Sequence, residues 1–238
     1  MGERSSSSPP RKRTRASKRS QTAAKEAALH ARVSQAYART DSLAEPSFSS
    51  SSSLGSTLPT PRLPDAVTIR AGLRWHALRR TERECLIQMT ETNMAGIYGE
   101  SAWPGARREK LKDMAHADSR FVLLVEPNGE DENVEIVAFF QYRFLVEDDT
   151  FPCLYLYELQ TASKQQKRGL GSCMLERARR TAELGGVGWV FLTVLKTNRI
   201  AMDMYAKRGF VPAPIDPGVM GYSDANYVIM RCASASLE

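Results

Sequence analysis

The residues best suited to chemistry in this chain lie in a glycine-containing turn, within the stretch QQKRGLGSCMLERARR. Gln166, Gly169 and Gly171 form the pattern Q-x-x-G-x-G between a predicted strand and a basic amphipathic helix. Glycine lets a backbone approach a ligand closely, and the first N–H groups of a helix attract anions. Lys167 and Arg168 add positive charge. The turn is therefore predicted to bind an anion, although a tight turn that only starts a helix explains G-x-G alone equally well.

Two common nucleotide-binding motifs do not fit this turn. A dinucleotide-binding fingerprint requires a third glycine, and Met174 stands at that position. A P-loop requires G-K-[ST] after its second glycine, and here the chain continues as GSC. Among the candidate anions, a nucleotide held by either of these motifs is therefore not expected.

The elements that must position the turn follow from the hydrophobic patterning. Strands are predicted at 65–73, 120–127, 135–148, 152–162, 189–195 and 226–232, and helices at 81–99, 106–117, 166–184 and 198–209. Thr81 is the predicted N-cap of the first of these helices, with Glu84 completing a capping box. The order of elements predicts an α/β domain with a mixed sheet, antiparallel strands at its front and a single β-α-β crossover behind them.

The N-terminal region differs in composition from the rest of the 238-residue chain. Residues 1–64 hold two serine tracts and few large apolar side chains, so burial cannot offset the entropy of ordering them. We expect a disordered arm over 1–64 and a folded domain over 65–238. Within the arm, 21–40 has a helix-forming composition, and whether that helix docks on the domain stays open.

The net charge of +6 is concentrated near the N-terminus. One basic run supplies the whole excess, through Arg11, Lys12, Arg13, Arg15, Lys18 and Arg19. Such a run is typical of a nuclear-import signal or an arm that contacts nucleic acid, and a solvated tail is the alternative. We expect a monomer located in the nucleus and cytoplasm.

Neither a metal site nor a membrane segment is expected. The four cysteines are widely spaced without C-x-x-C, and the three histidines are scattered. A disulfide framework is not indicated either. The chain also lacks a long apolar run and a signal-peptide core, which is typical of an intracellular soluble protein.

The turn and the segment after it resemble the Gcn5-related N-acetyltransferase (GNAT) family. That family carries Q/R-x-x-G-x-G/A after its fourth strand, and TVLKTNRIAMDMYAKRGF at 193–210 resembles its next motif, with Asn198, Tyr205 and a closing Gly209 and Phe210. The resemblance implies acetyl-CoA as cosubstrate and a mostly antiparallel mixed sheet, splayed between its fourth and fifth strands and flanked by helices. The implied coenzyme A contacts are Leu159, Thr161, Gln166, Lys167, Arg168, Gly169, Leu170, Gly171, Ser172 and Asn198, although Asn198 could equally be a plain helix cap.

A narrower resemblance, over about 65–232, is to the NatD type of N-terminal acetyltransferase. It is carried by TNMAGIYGESAW, LYLYELQ and FLTVLKTN. It implies acetylation of the terminal amine of histone four and histone two-A at a Ser-Gly-Arg-Gly start, with histone tails as partners. Leu145 departs from that type, which has an acidic residue there, and the nearby EDD at 147–149 could supply the charge instead. The alternatives are a family member that acts on another terminus, a lysine or a small amine, and a chromatin-binding module on a degenerate fold.

By this resemblance Glu158 is the candidate general base, acting through water, with Tyr157 at the substrate amine. The implied substrate contacts are Tyr98, Trp103, Tyr155, Tyr157, Thr193 and Tyr227. In a regular strand Tyr155 and Tyr157 share one face and Glu158 points to the other. A β-bulge is therefore predicted in this strand, since only an extra residue brings Tyr155 and Glu158 to one side. The alternatives are ordinary strand or core packing for the aromatic residues and a solvent-facing carboxylate for Glu158.

Overall fold

The fold is taken from a computed structural model that describes residues 15–41, 63–99, 102–128, 134–148, 150–222 and 224–234. The helices and strands, in chain order, are α1 (Arg15–Asp41), β1 (Thr68–Leu73), α2 (Arg80–Tyr98), α3 (Trp103–Ala115), β2 (Arg120–Pro127), β3 (Val134–Glu147), β4 (Phe151–Thr161), α4 (Leu170–Gly185), β5 (Trp189–Leu195), α5 (Arg199–Lys207), β6 (Val211–Pro212) and β7 (Tyr227–Ala233). The serine tracts and Arg11, Lys12 and Arg13 of the basic run lie outside the described residues.

The strands form one seven-stranded sheet in the order β1-β2-β3-β4-β5-β7-β6. Neighbouring strands are antiparallel except for β4 and β5, which are parallel and connected through α4. This confirms the predicted mixed sheet with antiparallel front strands and one crossover. Strand β6 was not predicted, because a strand of two residues, both exposed, is too short to show an alternating pattern.

Two apolar cores lie on opposite faces of the sheet. The larger core packs α4 against β3 and β4, with Met174 and Leu175 of α4 buried among residues such as Phe140 and Leu154. The smaller core includes Leu86 of α2 and other residues of α2 and α3, packed on β2 and β3. Because β3 is covered on both faces, its central residues form a continuous buried run.

The predicted start of α2 was wrong by two residues. The N-cap is Arg79, and the carboxylate of Glu82 accepts a hydrogen bond from the Arg79 N–H at 2.7 Å, so the capping box lies two residues before the one predicted at Thr81 and Glu84. Glu82 is 4% exposed and also pairs with the Arg70 and Arg79 side chains. Glu84 is exposed and pairs with Arg80. Glu82 rather than Glu84 therefore completes the capping box, because Glu82 is the carboxylate that also forms a tertiary ion pair, with Arg70 of β1.

Helix α1 covers the predicted segment 21–40, begins earlier, at Arg15, and docks on the domain. Ala36 is fully buried in the larger core, and Tyr37 packs against Phe144 with ring centroids 5.2 Å apart. Asp41 accepts two hydrogen bonds from the buried guanidinium of Arg120, both of 2.8 Å. The folded unit therefore uses residues that precede the boundary placed at residue 65.

The Tyr37 hydroxyl completes the hydrogen bonding of β3 beyond the end of its partner strand β2. It accepts a bond of 2.9 Å from the Phe144 N–H and lies 3.0 Å from the carbonyl oxygen of Asp118. Burial raises the pKa of Tyr37, so the phenol stays protonated and can donate. A side chain of α1 therefore satisfies a strand N–H that would otherwise be buried without a partner.

Replacing Tyr37→Phe removes this hydroxyl and keeps the ring. We expect the free energy of unfolding to fall by about 1–3 kcal/mol, because the Phe144 N–H loses its acceptor. Denaturant unfolding measures the change, and Tyr222→Phe, at a tyrosine that is 66% exposed, is the matched control with little effect. Equal stability of the two variants would contradict this role of Tyr37.

Candidate active site

Strand β4 contains one residue more than its partner at the centre of the sheet. Gln141 of β3 pairs with Glu158, and the next residue, Tyr142, pairs with Leu156, so Tyr157 is the extra residue of a β-bulge. This confirms the predicted bulge. The bulge shifts the alternation of β4 by one position, so Glu158 lies on the same face of the sheet as Tyr155.

The parallel strands β4 and β5 separate next to the bulge. Their pairing runs from Cys153 and Trp189 to Leu156 and Leu192. Both strands continue beyond those residues outside the pairing, β4 as far as Thr161. A gap therefore opens between them where Glu158 lies, as expected from the predicted splay.

Glu158 is a buried carboxylate with a partner on each oxygen. Its side chain is 6% exposed, Oε1 forms an ion pair with the Lys110 ammonium of α3, and Oε2 accepts a hydrogen bond of 2.9 Å from Gln160. Burial opposes the charge of Lys110, but the Glu158 carboxylate and Tyr98 outweigh this and raise the pKa of Lys110. The Glu158 side chain is therefore held in one orientation beside a permanent cation and does not face solvent.

The two tyrosines of β4 form a row beside Glu158. The Tyr155 and Tyr157 ring centroids are 5.2 Å apart, and the Arg143 guanidinium lies 4.1 Å from the Tyr157 ring centroid. The Tyr155 hydroxyl lies 2.6 Å from Thr193 Oγ1 on β5. Burial raises the pKa of Tyr155 to about 12 and also raises the pKa of Tyr157. Both phenols are therefore protonated at neutral pH and available as hydrogen-bond donors.

Tyr98 and Trp103 form a wall on the helical side of the row. Their ring centroids are 5.9 Å apart, and the Lys110 ammonium lies 5.5 Å from the Tyr98 ring centroid. Trp103 is 7% exposed and donates a hydrogen bond of 3.0 Å to Glu91, so it packs mainly between α2 and α3. Tyr227 lies across the sheet on β7, half-buried and paired with Leu195.

The two glycines of the turn have different physical roles. Gly169 is the N-cap of α4 and has φ +83° and ψ −2°, a left-handed conformation that strains any residue with a side chain. Gly171 lies in the first turn of α4, where a Cβ would stand 2.9 Å from Met204 Sδ on α5. Gly169 therefore sets the direction of the chain, and Gly171 allows α4 and α5 to approach.

The other residues of the turn are exposed or anchored by the core. Leu170 is buried, so only its main chain can reach a ligand. Lys167 is exposed at φ +62°, and the exposed Arg168 lies near Gln165 and Glu126. The first N–H groups of α4 have no partner within the helix. This set of donors and cations suits the pyrophosphate of acetyl-CoA.

Other predicted coenzyme A contacts are placed as follows. Asn198 is the N-cap of α5, and its side-chain oxygen accepts a hydrogen bond of 3.2 Å from the Ala201 N–H, which is the capping role left open above. Leu159 and Thr161 lie on β4 after the bulge. Gln166 donates a hydrogen bond of 3.2 Å to Asn93 of α2. The turn is therefore connected to α2 by a side chain.

Four residues that sequence reasoning did not assign to the site belong to it: Asn93, Lys110, Arg143 and Gln160. They lie on α2, α3, β3 and β4, and the local pattern does not show which side chains of one element face another. A fifth, Tyr205, was noted only as part of a motif. It is 8% exposed, and burial, with a contribution from the Glu158 charge, raises the pKa of Tyr205. It is therefore a protonated phenol in the vicinity of Glu158.

The departure at Leu145 also has a structural explanation. Leu145 packs against a small apolar cluster that includes Phe151 and Trp189, on the face of the sheet that carries the tyrosine row. Glu147 follows on the same strand, and its charge contributes to the raised pKa values of Tyr155 and Tyr157. A carboxylate therefore lies along this face even though position 145 is apolar.

Among the residues that the structure describes, no three His, Cys, Asp or Glu side chains group to hold a metal ion. Within the same residues, no helix has the length and apolar character needed to cross a membrane.

The fold and the site define an acyltransferase that uses an acyl-coenzyme A. A family model described as the acetyltransferase (GNAT) family matches residues 75–210, more than half of the chain, and the chain belongs to that family. It is therefore an acetyltransferase that uses acetyl-CoA.

Solved structures of similar fold include the paia N-acetyltransferase of Thermoplasma acidophilum in complex with coenzyme A. It is 20% identical, the match covers 70% of this chain and 98% of that chain, and the TM-score is 0.50. The ribosomal-protein-S18-alanine N-acetyltransferase from Escherichia coli is 19% identical, with 72% of this chain and 96% of that chain covered and a TM-score of 0.48. Similarity at these identities concerns the fold.

Replacing Gly169→Ala tests the turn. We expect a loss of about 1–2 kcal/mol in the free energy of unfolding, because alanine is strained at this left-handed position, and weaker binding of coenzyme A. Gly96→Ala, within α2 and with open space around the added methyl group, is the control. It should keep the affinity for coenzyme A, and its free energy of unfolding should rise by about 0.5–1 kcal/mol. Calorimetry and unfolding measure both quantities. Wild-type affinity in Gly169→Ala would contradict the assignment of the turn.

Proposed function

We propose that this acetyltransferase acts on protein N-terminal amines, with the Ser-Gly-Arg-Gly start of histone four and histone two-A as its substrate. The observation that carries the proposal is the bulge at Tyr157, which gathers Tyr155, Tyr157 and Glu158 on one face beside the gap between β4 and β5. The same residues form the LYLYELQ string that resembles the NatD type.

A modest base suffices for this reaction, because a terminal amine has a pKa near ~8. When bound, acetyl-CoA supplies the activated acetyl group. Glu158 accepts the proton of the attacking amine through water, and the fixed carboxylate needs no reorientation to do so. Tyr157 orients the amine by hydrogen bonding. Tyr205, a protonated phenol, donates a hydrogen bond or a proton to the departing sulfur.

The surroundings of Glu158 support a small first residue on the substrate. The acceptor slot that we propose is lined by Tyr98, Tyr155, Tyr157, Thr193 and Tyr227, and the buried Trp103 supports the Tyr98 ring from between α2 and α3. Aromatic rings leave little width for a side chain between them. An arginine at the third substrate position would find a carboxylate in Glu147, with Asp148 next to it along the chain.

Acetyl transfer to two synthetic peptides tests the proposal. One starts Ser-Gly-Arg-Gly with a free terminus, and the other has the same sequence with its terminus already acetylated. The proposal predicts transfer from labelled acetyl-CoA to the free peptide alone. Equal transfer to both would identify internal lysines as acceptors, and transfer to neither, with polyamines accepted, would identify a small-amine enzyme.

Replacing Glu158→Gln should lower kcat by about 10²-fold, because the base is lost while a side chain of the same shape remains. Affinity for acetyl-CoA should change little, since the turn is untouched. Steady-state kinetics with the free peptide and calorimetry with coenzyme A measure the two quantities, and thermal unfolding checks that the variant folds. Unchanged kcat would remove Glu158 from the mechanism.

The proposed location is the nucleus and cytoplasm, with the basic run as the import signal and as a site for weak contacts with nucleic acid. Deleting residues 1–20 removes that run and keeps the part of α1 that docks through Ala36 and Tyr37. We expect unchanged kcat on a short peptide and loss of nuclear accumulation of a tagged protein. Deletion of residues 2–10, which precede the run, is the control. Unchanged nuclear accumulation after the longer deletion would contradict the import assignment.

A further inference from the structure

Three side-chain amides connect the turn to Glu158. Gln166 donates to Asn93 Oδ1 at 3.2 Å, Asn93 donates to Gln160 Oε1 at 3.0 Å, and Gln160 donates to Glu158 Oε2 at 2.9 Å. We call Gln166, Asn93 and Gln160 the amide relay. It begins at the predicted pyrophosphate site on the turn, passes through α2 and ends at the candidate base on β4.

The direction of the relay is fixed by groups that can only accept hydrogen bonds. Glu158 is ion-paired with Lys110 as a carboxylate, so Gln160 must present its NH₂ group to it and its oxygen to Asn93. The Asn93 NH₂ group also donates to the Thr161 carbonyl oxygen at 3.0 Å. The Asn93 oxygen is therefore left to face Gln166. Reversing any one amide would break bonds to these acceptors.

Burial differs along the relay. Gln160 and Glu158 are 5% and 6% exposed, Asn93 is half-buried and Gln166 is exposed on the turn. A ligand on the turn can therefore reach Gln166 directly, and the relay connects Gln166 with the buried Glu158 side chain. Between Gln160 and Glu158, where the network is buried, a lost donor costs the carboxylate a hydrogen bond that water does not replace.

We propose that Asn93 and Gln160 are positioning residues that couple occupation of the turn by acetyl-CoA to the orientation of Glu158. The coupling itself needs only coenzyme A on the turn, while its catalytic meaning rests on the proposed function of Glu158. A ligand that changes the hydrogen bonding of Gln166 changes the donor available to Asn93, and the change passes to Gln160 and Glu158.

Nuclear magnetic resonance with coenzyme A alone tests the coupling without any acceptor. The side-chain NH₂ signals of Gln160, assigned by their loss in Gln160→Glu, should shift when coenzyme A is added to the wild-type protein. In Asn93→Leu the shift should disappear while calorimetry still shows binding. Thr90→Val, which removes a buried hydroxyl bonded to Leu86 within the same helix, is the control and should keep the shift. A shift that persists in Asn93→Leu, or none in the wild type at saturating coenzyme A, would overturn the proposal.

Kinetics with the free-terminus peptide give a second test. Asn93→Leu should lower kcat about tenfold, because Glu158 is less well oriented. The KM for acetyl-CoA should change less than about twofold, because the turn is intact. Adding Gln166→Ala to Asn93→Leu should lower kcat no further, whereas Gln166→Ala alone should lower it. Independent, multiplicative losses would overturn the relay. If the peptide is not acetylated but the Gln160 signals shift with coenzyme A, the acceptor assignment fails and the relay is supported.

Discussion

The active site depends on one extra residue in β4. A regular strand would turn Glu158 away from Tyr155 and would continue its pairing with β5. With Tyr157 as the additional residue, the carboxylate and the tyrosine row lie on one face, and β4 and β5 separate beside them. The acceptor groups and the opening for the thioester that we propose thus arise from a single irregularity, and β3 and β4 pair regularly on both sides of it.

The charges of the site are arranged around this irregularity. The turn presents helix N–H groups and exposed cations on one side, while Glu158 is buried beside Lys110 on the other. A buried ion pair gains little stability over an apolar pair of similar volume, because both charges must be desolvated. We therefore interpret the Lys110–Glu158 pair as a functional feature: it keeps a charged carboxylate inside the fold, and the proposed amide relay orients that carboxylate.

The sequence predicted the parts of the molecule that local patterns encode. Strands 120–127 and 189–195 have the predicted bounds. The bulge followed from the conflict between strict alternation and the chemistry expected of Glu158. Contacts between residues far apart in the sequence were not predictable in this way. Asn93 and Lys110, on helices, contact Gln160 and Glu158 on β4. Tyr37 of α1 accepts a hydrogen bond from the Phe144 N–H of β3, 107 residues away. The position of the α2 capping box was not predictable for the same reason, because Glu82 pairs with Arg70 on β1.

We propose that the turn and the acceptor slot meet at Glu158. The most direct test is the affinity of a conjugate in which coenzyme A is joined through an acetyl linker to the terminal amine of a Ser-Gly-Arg-Gly peptide. If both sites are occupied at once, the conjugate should bind at least about 10²-fold more tightly than coenzyme A, and a conjugate through an internal lysine should not. Equal affinities of the two conjugates and of coenzyme A would contradict this arrangement of the two sites.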